Sequence, residues 1–223
     1  MMRVLLVIPA YNEAKFIGKL LQKTLRYFEP QDILVIDDGS QDATSEIAKS
    51  FGVKVLKNAK NLGKGRSLEK GFAYAVQNGY DAVITMDADL QHDPDELPKF
   101  LKAAESFDFV IGSRWQGLGL MPWDRYMSNR LTTLILSAIA GVKVEDTQSG
   151  YRLIKTKVLR KVRPKSAHYD AESEYVVLVA RAGFKIGNVP IKTIYGEEES
   201  SVNKVLDTLR FLKLVLKLIF APQ

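Results

Sequence analysis

The 223-residue chain reads as an α/β protein with a mostly parallel central sheet flanked by helices. Three observations predict this. Short β-branched runs alternate with segments of helical period, the pattern of βαβ units. Most of those runs end in polar residues on the C-terminal side, the edge at which open α/β sheets bind ligands. The composition, 46% apolar with no cysteine, supports a large packed core and excludes a disulfide scaffold. At about 150 residues per domain, the length predicts one large domain or one with a small appendage.

Val4 to Ile8 is the first buried strand, closed by Pro9 and followed by helical spacing at Phe16, Leu20, Leu21 and Leu25. Ile33 to Ile36 is a second strand running into Asp37-Asp38-Gly39-Ser40, a cluster of turn and N-cap residues. A helix over about 41–50 and a short strand at 53–56 complete another unit. After the loop Asn58 to Gly65 comes a helix to about Asn78, then the strand Ala82 to Met86, which empties into Asp87-Ala88-Asp89-Leu90-Gln91. Pro94 suits the start of the next helix. Phe109 to Ile111 is a further strand, closed by Gly112-Ser113-Arg114. A Gly-rich loop at 115–122, a helix to about Ala140 and a polar loop from Glu145 to Gly150 follow. Arg152, Lys155, Lys157, Arg160, Lys161, Arg163 and Lys165 then occur with no acid between them. A helix over about 170–182, two strand-like runs near 184–194 and a final helix end the chain. No linker cuts the chain into two domains; the expected division is a single domain over 1–201 and an amphipathic helix over 202–223.

Zero cysteines exclude a thiol nucleophile, an Fe–S cluster and a Cys–zinc site, and His92 and His168 are the only histidines. A catalytic metal must therefore be held mainly by oxygen, which points to Mg2+ or Mn2+. The apolar run before Pro9 is too short for a signal peptide, and no stretch of about 18 uncharged apolar residues occurs, so the expected location is cytoplasmic. The formal charge of +6 suits an anionic partner, yet no nucleic-acid-binding motif accompanies it.

Asp87-x-Asp89-x-Gln91 is the strongest local signal. Alternation in an extended segment would turn all three oxygen-bearing side chains to one side, a site for a divalent cation that neutralises a diphosphate. Asp37-Asp38 offers either carboxylates for a metal, a nucleobase N–H or a ribose hydroxyl, or a helix cap. Tyr11 offers a stacking face and Glu13 an acceptor, while Asn12-Glu13 could equally cap a helix beginning at Ala14.

Pro9-Ala10-Tyr11-Asn12-Glu13, Ile36-Asp37-Asp38-Gly39-Ser40, Asn61-Leu62-Gly63-Lys64-Gly65, Met86-Asp87-Ala88-Asp89-Leu90-Gln91-His92 and Gly112-Ser113-Arg114 together resemble glycosyltransferase family 2, inverting nucleotide-sugar transferases of GT-A fold. Asp146-Thr147-Gln148-Ser149-Gly150-Tyr151-Arg152 and Thr193-Ile194-Tyr195-Gly196-Glu197 extend the likeness to the dolichyl- and polyprenyl-phosphate sugar synthase branch. The resemblance implies that Pro9, Tyr11, Glu13, Ile36 and Asp38 line a nucleoside pocket, with Asp38 on the base. It also implies that Asp87, Asp89 and Gln91 hold Mg2+ or Mn2+ on the donor diphosphate beside Ala88, and that Arg114 and Arg125 lie near the donor and acceptor phosphates. One departure is that relatives carry a Lys soon after the Tyr-Gly-Glu match, whereas Glu197-Glu198-Glu199 stands here and the next Lys is Lys204.

The implied reaction moves a hexose from a donor of the GDP-mannose or UDP-glucose type to a polyprenyl phosphate. Asp89, Arg114, Arg125 and Asp146 are the candidate catalytic residues. A sugar hydroxyl acceptor would need a carboxylate base, for which Asp146 is the candidate, whereas a phosphate acceptor is already anionic and needs none. A non-catalytic nucleotide-binding protein is the rival of another class. The final helix has apolar residues at 202, 205, 206, 209, 212, 216, 219 and 220, with Lys204, Arg210, Lys213 and Lys217. That pattern fits a peripheral membrane contact, packing on the protein or a dimer.

Overall fold

A computed structural model describes residues 2–114, 123–164, 170–192, 194, 211, 213–218 and 220, with the side chains of 123–126 and 170–171 outside the description. Seven strands are joined by helices in the order β1 (Val4–Ala10), α1 (Ile17–Thr24), β2 (Ile33–Asp37), α2 (Thr44–Ser50), β3 (Lys54–Lys57), α3 (Lys64–Gln77), β4 (Ala82–Thr85), α4 (Leu97–Ala103), β5 (Phe109–Ser113), α5 (Trp123–Ala140), β6 (Arg152–Lys155), α6 (Thr156–Lys161), α7 (Asp170–Arg181) and β7 (Ile186–Pro190). Short 3-10 turns at Pro30–Asp32 and Pro94–Glu96 precede β2 and α4. The described residues of 211–220 are helical.

The strands form one sheet in the order β3-β2-β1-β4-β6-β5-β7. All neighbours are parallel except β6, which runs antiparallel to both β4 and β5. Alternation along β1 divides the core: Leu6 and Ile8 pack with Ile17, Leu20, Leu21 and Phe100 on one face, and Leu5 and Val7 pack with Ala75, Val83, Phe109 and Val176 on the other. A third cluster, Leu136, Val177, Leu214 and Leu218, joins α5, α7 and the C-terminal helical residues.

Several expectations are corrected. Pro9 does not end β1, which continues to Ala10. Pairing with β4 stops at Val7↔Thr85, and Val7 O accepts Met86 N, so by alternation Pro9 turns its missing N–H toward a side where no ladder remains. The basic stretch after Gly150, read as one charged run, contains β6 and α6. Between 184 and 194 the described residues form one strand, β7, rather than two. Helix α1 begins at Ile17, not Ala14, because Glu13 O first accepts the N–H groups of Phe16 and Ile17. No described helix is long and apolar enough to cross a membrane.

Candidate active site

The carboxyl ends of β1, β2 and β4 lie side by side, and each releases the chain into a polar turn. After β1, Asn12 adopts φ 56°, a left-handed conformation that Asn tolerates. Its N–H donates to Ser40 Oγ at 3.0 Å and its Oδ1 accepts from Gln41 N at 2.9 Å. Glu13 N donates to Thr44 Oγ1 at 2.8 Å. These bonds fasten the first turn to the second and leave Tyr11 exposed beside them.

The adjacent acids at the end of β2 divide their work. Asp37 is buried and accepts from Ser40 N at 2.7 Å and from Ser45 Oγ, with Lys57 Nζ 3.4 Å away. Burial raises its carboxyl, but the hydrogen bonds from Ser40 and Ser45 outweigh that and hold it below the usual range. Asp37 thus serves the turn into α2. Asp38, expected on the nucleobase, accepts from Asn58 Nδ2 at 2.7 Å, Leu62 N at 3.0 Å and Gly63 N at 2.8 Å, and so holds the 58–63 loop against the sheet edge. Gly39 permits this closure: its φ is +80°, and a Cβ there would meet the backbone of Lys60 at 2.5 Å.

After β4 the chain turns rather than continuing extended. Leu90 has φ 65°, and Asp89 Oδ1 accepts from Gln91 N at 3.0 Å. Asp87, Asp89 and Gln91 therefore lie on a turn with a left-handed residue, not on the extended segment expected for them. Buried Ala88 forms part of the same turn. Lys64, from the start of α3, places Nζ 2.7 Å from Asp87 Oδ1 and 3.0 Å from Glu172 Oε1 of α7. Burial opposes ionisation of Asp87, but the Lys64 ammonium prevails and takes its carboxyl down to about 2. Burial likewise opposes the Lys64 charge, and Asp87 and Glu172 overcome it, so the ammonium is held above its usual range. Gly150 closes over the three: a Cβ there would lie 2.7 Å from Lys64 Nζ, 3.0 Å from Asp87 Oδ2 and 3.2 Å from Glu172 Oε1. His92 accepts from Asp87 N at Nδ1 and stacks on Tyr151 with centroids 4.9 Å apart, and burial takes its imidazole down to about 4.

Arg114 leaves β5 and forks onto Asp146, with Nε to Oδ2 at 2.6 Å and Nη2 to Oδ1 at 2.9 Å. Asp146 is only 2% exposed and also accepts from Gln148 N at 3.1 Å. Burial raises its carboxyl, while Arg114 and these hydrogen bonds carry it below the usual range. The loop that carries Asp146 also carries Gly150, packed against Asp87, so the fork and the β4 turn share one edge, where the charge of Arg114 lowers both Asp87 and His92. Ile36, the last apolar position of the β2 motif, is buried in the sheet. Arg125 falls on α5, and its side chain lies outside the described residues.

Four residues of the basic run are engaged by the protein itself. Arg152 is buried and donates to the carbonyls of Ser149 at 2.6 Å, Thr147 at 2.8 Å and Glu172 at 2.8 Å, pinning the loop that carries Asp146 and Gly150. Lys155 and Lys157 pair with Asp108 at 3.4 and 2.7 Å, and Lys161 lies over the Phe184 ring. Lys165 lies outside the described residues. Lys64 and Glu172 were missed as site residues. Lys64 stood inside a quoted motif, whereas Glu172 has no local signal, since only the docking of α7 brings it to the β4 turn.

The chain is 33% identical over 207 residues to a protein of Micrococcus luteus named undecaprenyl-phosphate mannosyltransferase, covering 88% of this chain and 85% of that one. It is 31% identical over 218 residues to a dolichyl-phosphate N-acetylglucosaminyltransferase of Methanococcus voltae, named for UDP-N-acetylglucosamine, covering 87% and 86%. Among solved structures, glucosyl-3-phosphoglycerate synthase of Mycobacterium tuberculosis in complex with Mn2+, uridine diphosphate and phosphoglyceric acid shares the fold. It has a TM-score of 0.76 at 20% identity over 100% of this chain and 80% of that one. The expected GT-A architecture is the one observed. Glycosyl transferase family 2 matches residues 5–163, spanning β1 through α6, and the chain belongs to that family of glycosyltransferases.

Proposed function

We propose that this glycosyltransferase moves a hexose, with inversion, from a nucleotide diphosphate sugar to a polyprenyl phosphate at a membrane surface on the cytoplasmic side. The observation that carries the choice of acceptor is the state of Asp146. A transferase acting on a sugar hydroxyl needs a carboxylate poised to take a proton. Both oxygens of Asp146 are instead held by Arg114 and the Gln148 amide in a buried fork. Its role is to aim Arg114, and a guanidinium so fixed suits phosphate oxygens. A phosphate monoester brings its own anionic oxygen. That oxygen attacks the anomeric carbon, the bond from that carbon to the diphosphate oxygen breaks, and the nucleoside diphosphate leaves without any proton transfer to the protein. The names of the 30%-class relatives, which specify undecaprenyl and dolichyl phosphate, support the same acceptor.

The donor would lie across the ends of β1, β2 and β4. Tyr11 offers a ring face and Pro9, Glu13 and Ile36 belong to the same edge, while Asp38 shapes the pocket through the loop it holds. Asp87, Asp89 and Gln91 fit Mg2+ or Mn2+. All three are hard oxygen donors on one turn, and Asp87 stays ionised against a cation 2.7 Å away. Among the described residues no cluster of three His, Cys, Asp or Glu is assembled, and in this reading the third ligand is the Gln91 amide. When bound, such a cation neutralises the charge that builds on the departing diphosphate. Arg114 adds a second positive group at the same place, and Lys64 and Glu172 fix the orientation of Asp87. In this reading residues 1–201 form the catalytic unit, and 202–223 are an appended helix in contact with the membrane.

The test is a screen of GDP-mannose, UDP-glucose and UDP-N-acetylglucosamine against undecaprenyl phosphate with Mg2+ or Mn2+, scored by nucleoside diphosphate release and by lipid-linked sugar. The expected result is transfer with one donor, dependent on the lipid phosphate and abolished by chelation. Transfer to a saccharide alone, lost on Asp146→Asn with the fold intact, would overturn it.

A further inference from the structure

The first half of helix α5 is inside out. Its buried face there is polar, with Asn129, Thr132 and Thr133 at 7%, 7% and 5% exposure, before it turns apolar at Leu136, Ile139 and Ala140. Met127, Leu131 and Leu134, spaced to share the opposite face, are 48%, 60% and 60% exposed. A helix in contact with water places these two sets the other way round. The C-terminal helical residues repeat the theme: Leu214 and Leu218 pack on Leu136 and Val177, while Leu216 and Phe220 are 57% and 78% exposed. Both helices rest on α7 and turn these side chains away from it.

We propose that the outward faces of α5 and the C-terminal helix form one bilayer-contact surface, seated on anionic phospholipid. The proposal rests on the reading of a lipid-linked acceptor. The charges favour this occupant. Arg130 and Lys213 are exposed beside the apolar residues, and no described side chain of either helix adds an acid to the outward faces. Such a face meets lipid phosphates with complementary charge. A second copy related by a two-fold axis would instead set the same basic face against itself.

The inner face of α5 links this surface to the site. Thr133 Oγ1 lies 3.2 Å from Thr147 Oγ1 and accepts from Thr147 N at 3.3 Å, and Ser137 Oγ accepts from Val144 N at 3.2 Å. The helix that would lie on the bilayer thus carries the loop of Asp146, and through it the Arg114 fork. A phosphate held at the membrane surface would meet Arg114 beside the layer it comes from.

The test is co-sedimentation of the full chain with vesicles of phosphatidylcholine and phosphatidylglycerol, compared with Leu131→Gln/Leu134→Gln. Both leucines are solvent-facing, so the variant is expected to melt as the parent does and to stay as active on detergent-solubilised prenyl phosphate. Its vesicle partitioning should fall by about tenfold or more. As a second variant, Lys213→Glu should weaken binding to the mixed vesicles while leaving binding to phosphatidylcholine alone unchanged. Unaltered sedimentation of the leucine variant would overturn the proposal. So would a parent that is dimeric, does not bind vesicles and becomes monomeric on substitution. If the parent sediments and the variant does not, yet neither glycosylates any prenyl phosphate, the acceptor reading fails and the bilayer surface stands.

Discussion

The two parts of the chain on either side of Arg114 build the site in opposite ways. Before Arg114, each functional group follows its own strand: Asp38 follows β2 and Asp87 follows β4, so position in the sequence dictates position at the edge. After Arg114, the groups that matter arrive by packing. Asp146 reaches Arg114 across 32 residues, Glu172 reaches Lys64 from another helix, and Arg152 ties three carbonyls of 147–149 and α7 together. In the proposed reading the first part supplies chemistry and the second holds it in register, so substitutions in the two should separate activity from stability.

The largest effect is expected in the second part. Arg152→Met strips donors from three buried carbonyls and should cost about 4 kcal/mol, read as a drop in the urea unfolding midpoint. If Arg152 instead bound an acceptor phosphate, as the run of basic residues suggests, stability would hold and KM for the acceptor would rise. Asp89→Ala should invert that outcome, with turnover down about a hundredfold or more and stability changed by less than about 1 kcal/mol. An equal loss of both would erase the division.

Gly71→Ala probes the first part where it is structural. A Cβ there would sit 2.5 Å from Val7 Cγ1, so α3 must lift from β1, at a cost of about 2 kcal/mol measured by thermal or urea unfolding. The smallest effect concerns pH. The folded-state pKa of Asp146 is depressed, so its contribution to stability is present above the unfolded value of about 3.9 and is lost as pH falls through the folded one. Asp146→Asn should flatten this acid limb in unfolding midpoints collected below about pH 4. An unchanged slope would show that the fork carries no such linkage.

The same division decides what could be read from sequence. Polar residues after apolar runs marked the ends of β1, β2 and β4, because a buried strand and the turn that follows it are both local features. Pro9 misled, since whether a strand tolerates proline depends on where its neighbour stops, which a single segment does not carry. Arg152 to Lys155 was read as a charged run because two flanking bases conceal an apolar centre in a strand of four residues. Asp38 was legible as important, but its partners Asn58, Leu62 and Gly63 depend on how the loop closes. In α5 the helix was legible, but which side faces α7 was not.

The reversed strand β6 has a consequence for how the molecule assembles. Among the described strands it alone links β4 and β5: β4 pairs with β1 and β6, and β5 pairs with β6 and β7. A nascent chain that stops at Arg114 holds the turns after β1, β2 and β4, yet β4 is left as a bare edge and β5 has no partner on either side. Such an edge templates aggregation. The non-local pairing that repairs it also slows folding, because a long loop must close first. The half before Arg114 is therefore not a separable module, and truncation before Lys155 should yield insoluble protein rather than a smaller soluble domain.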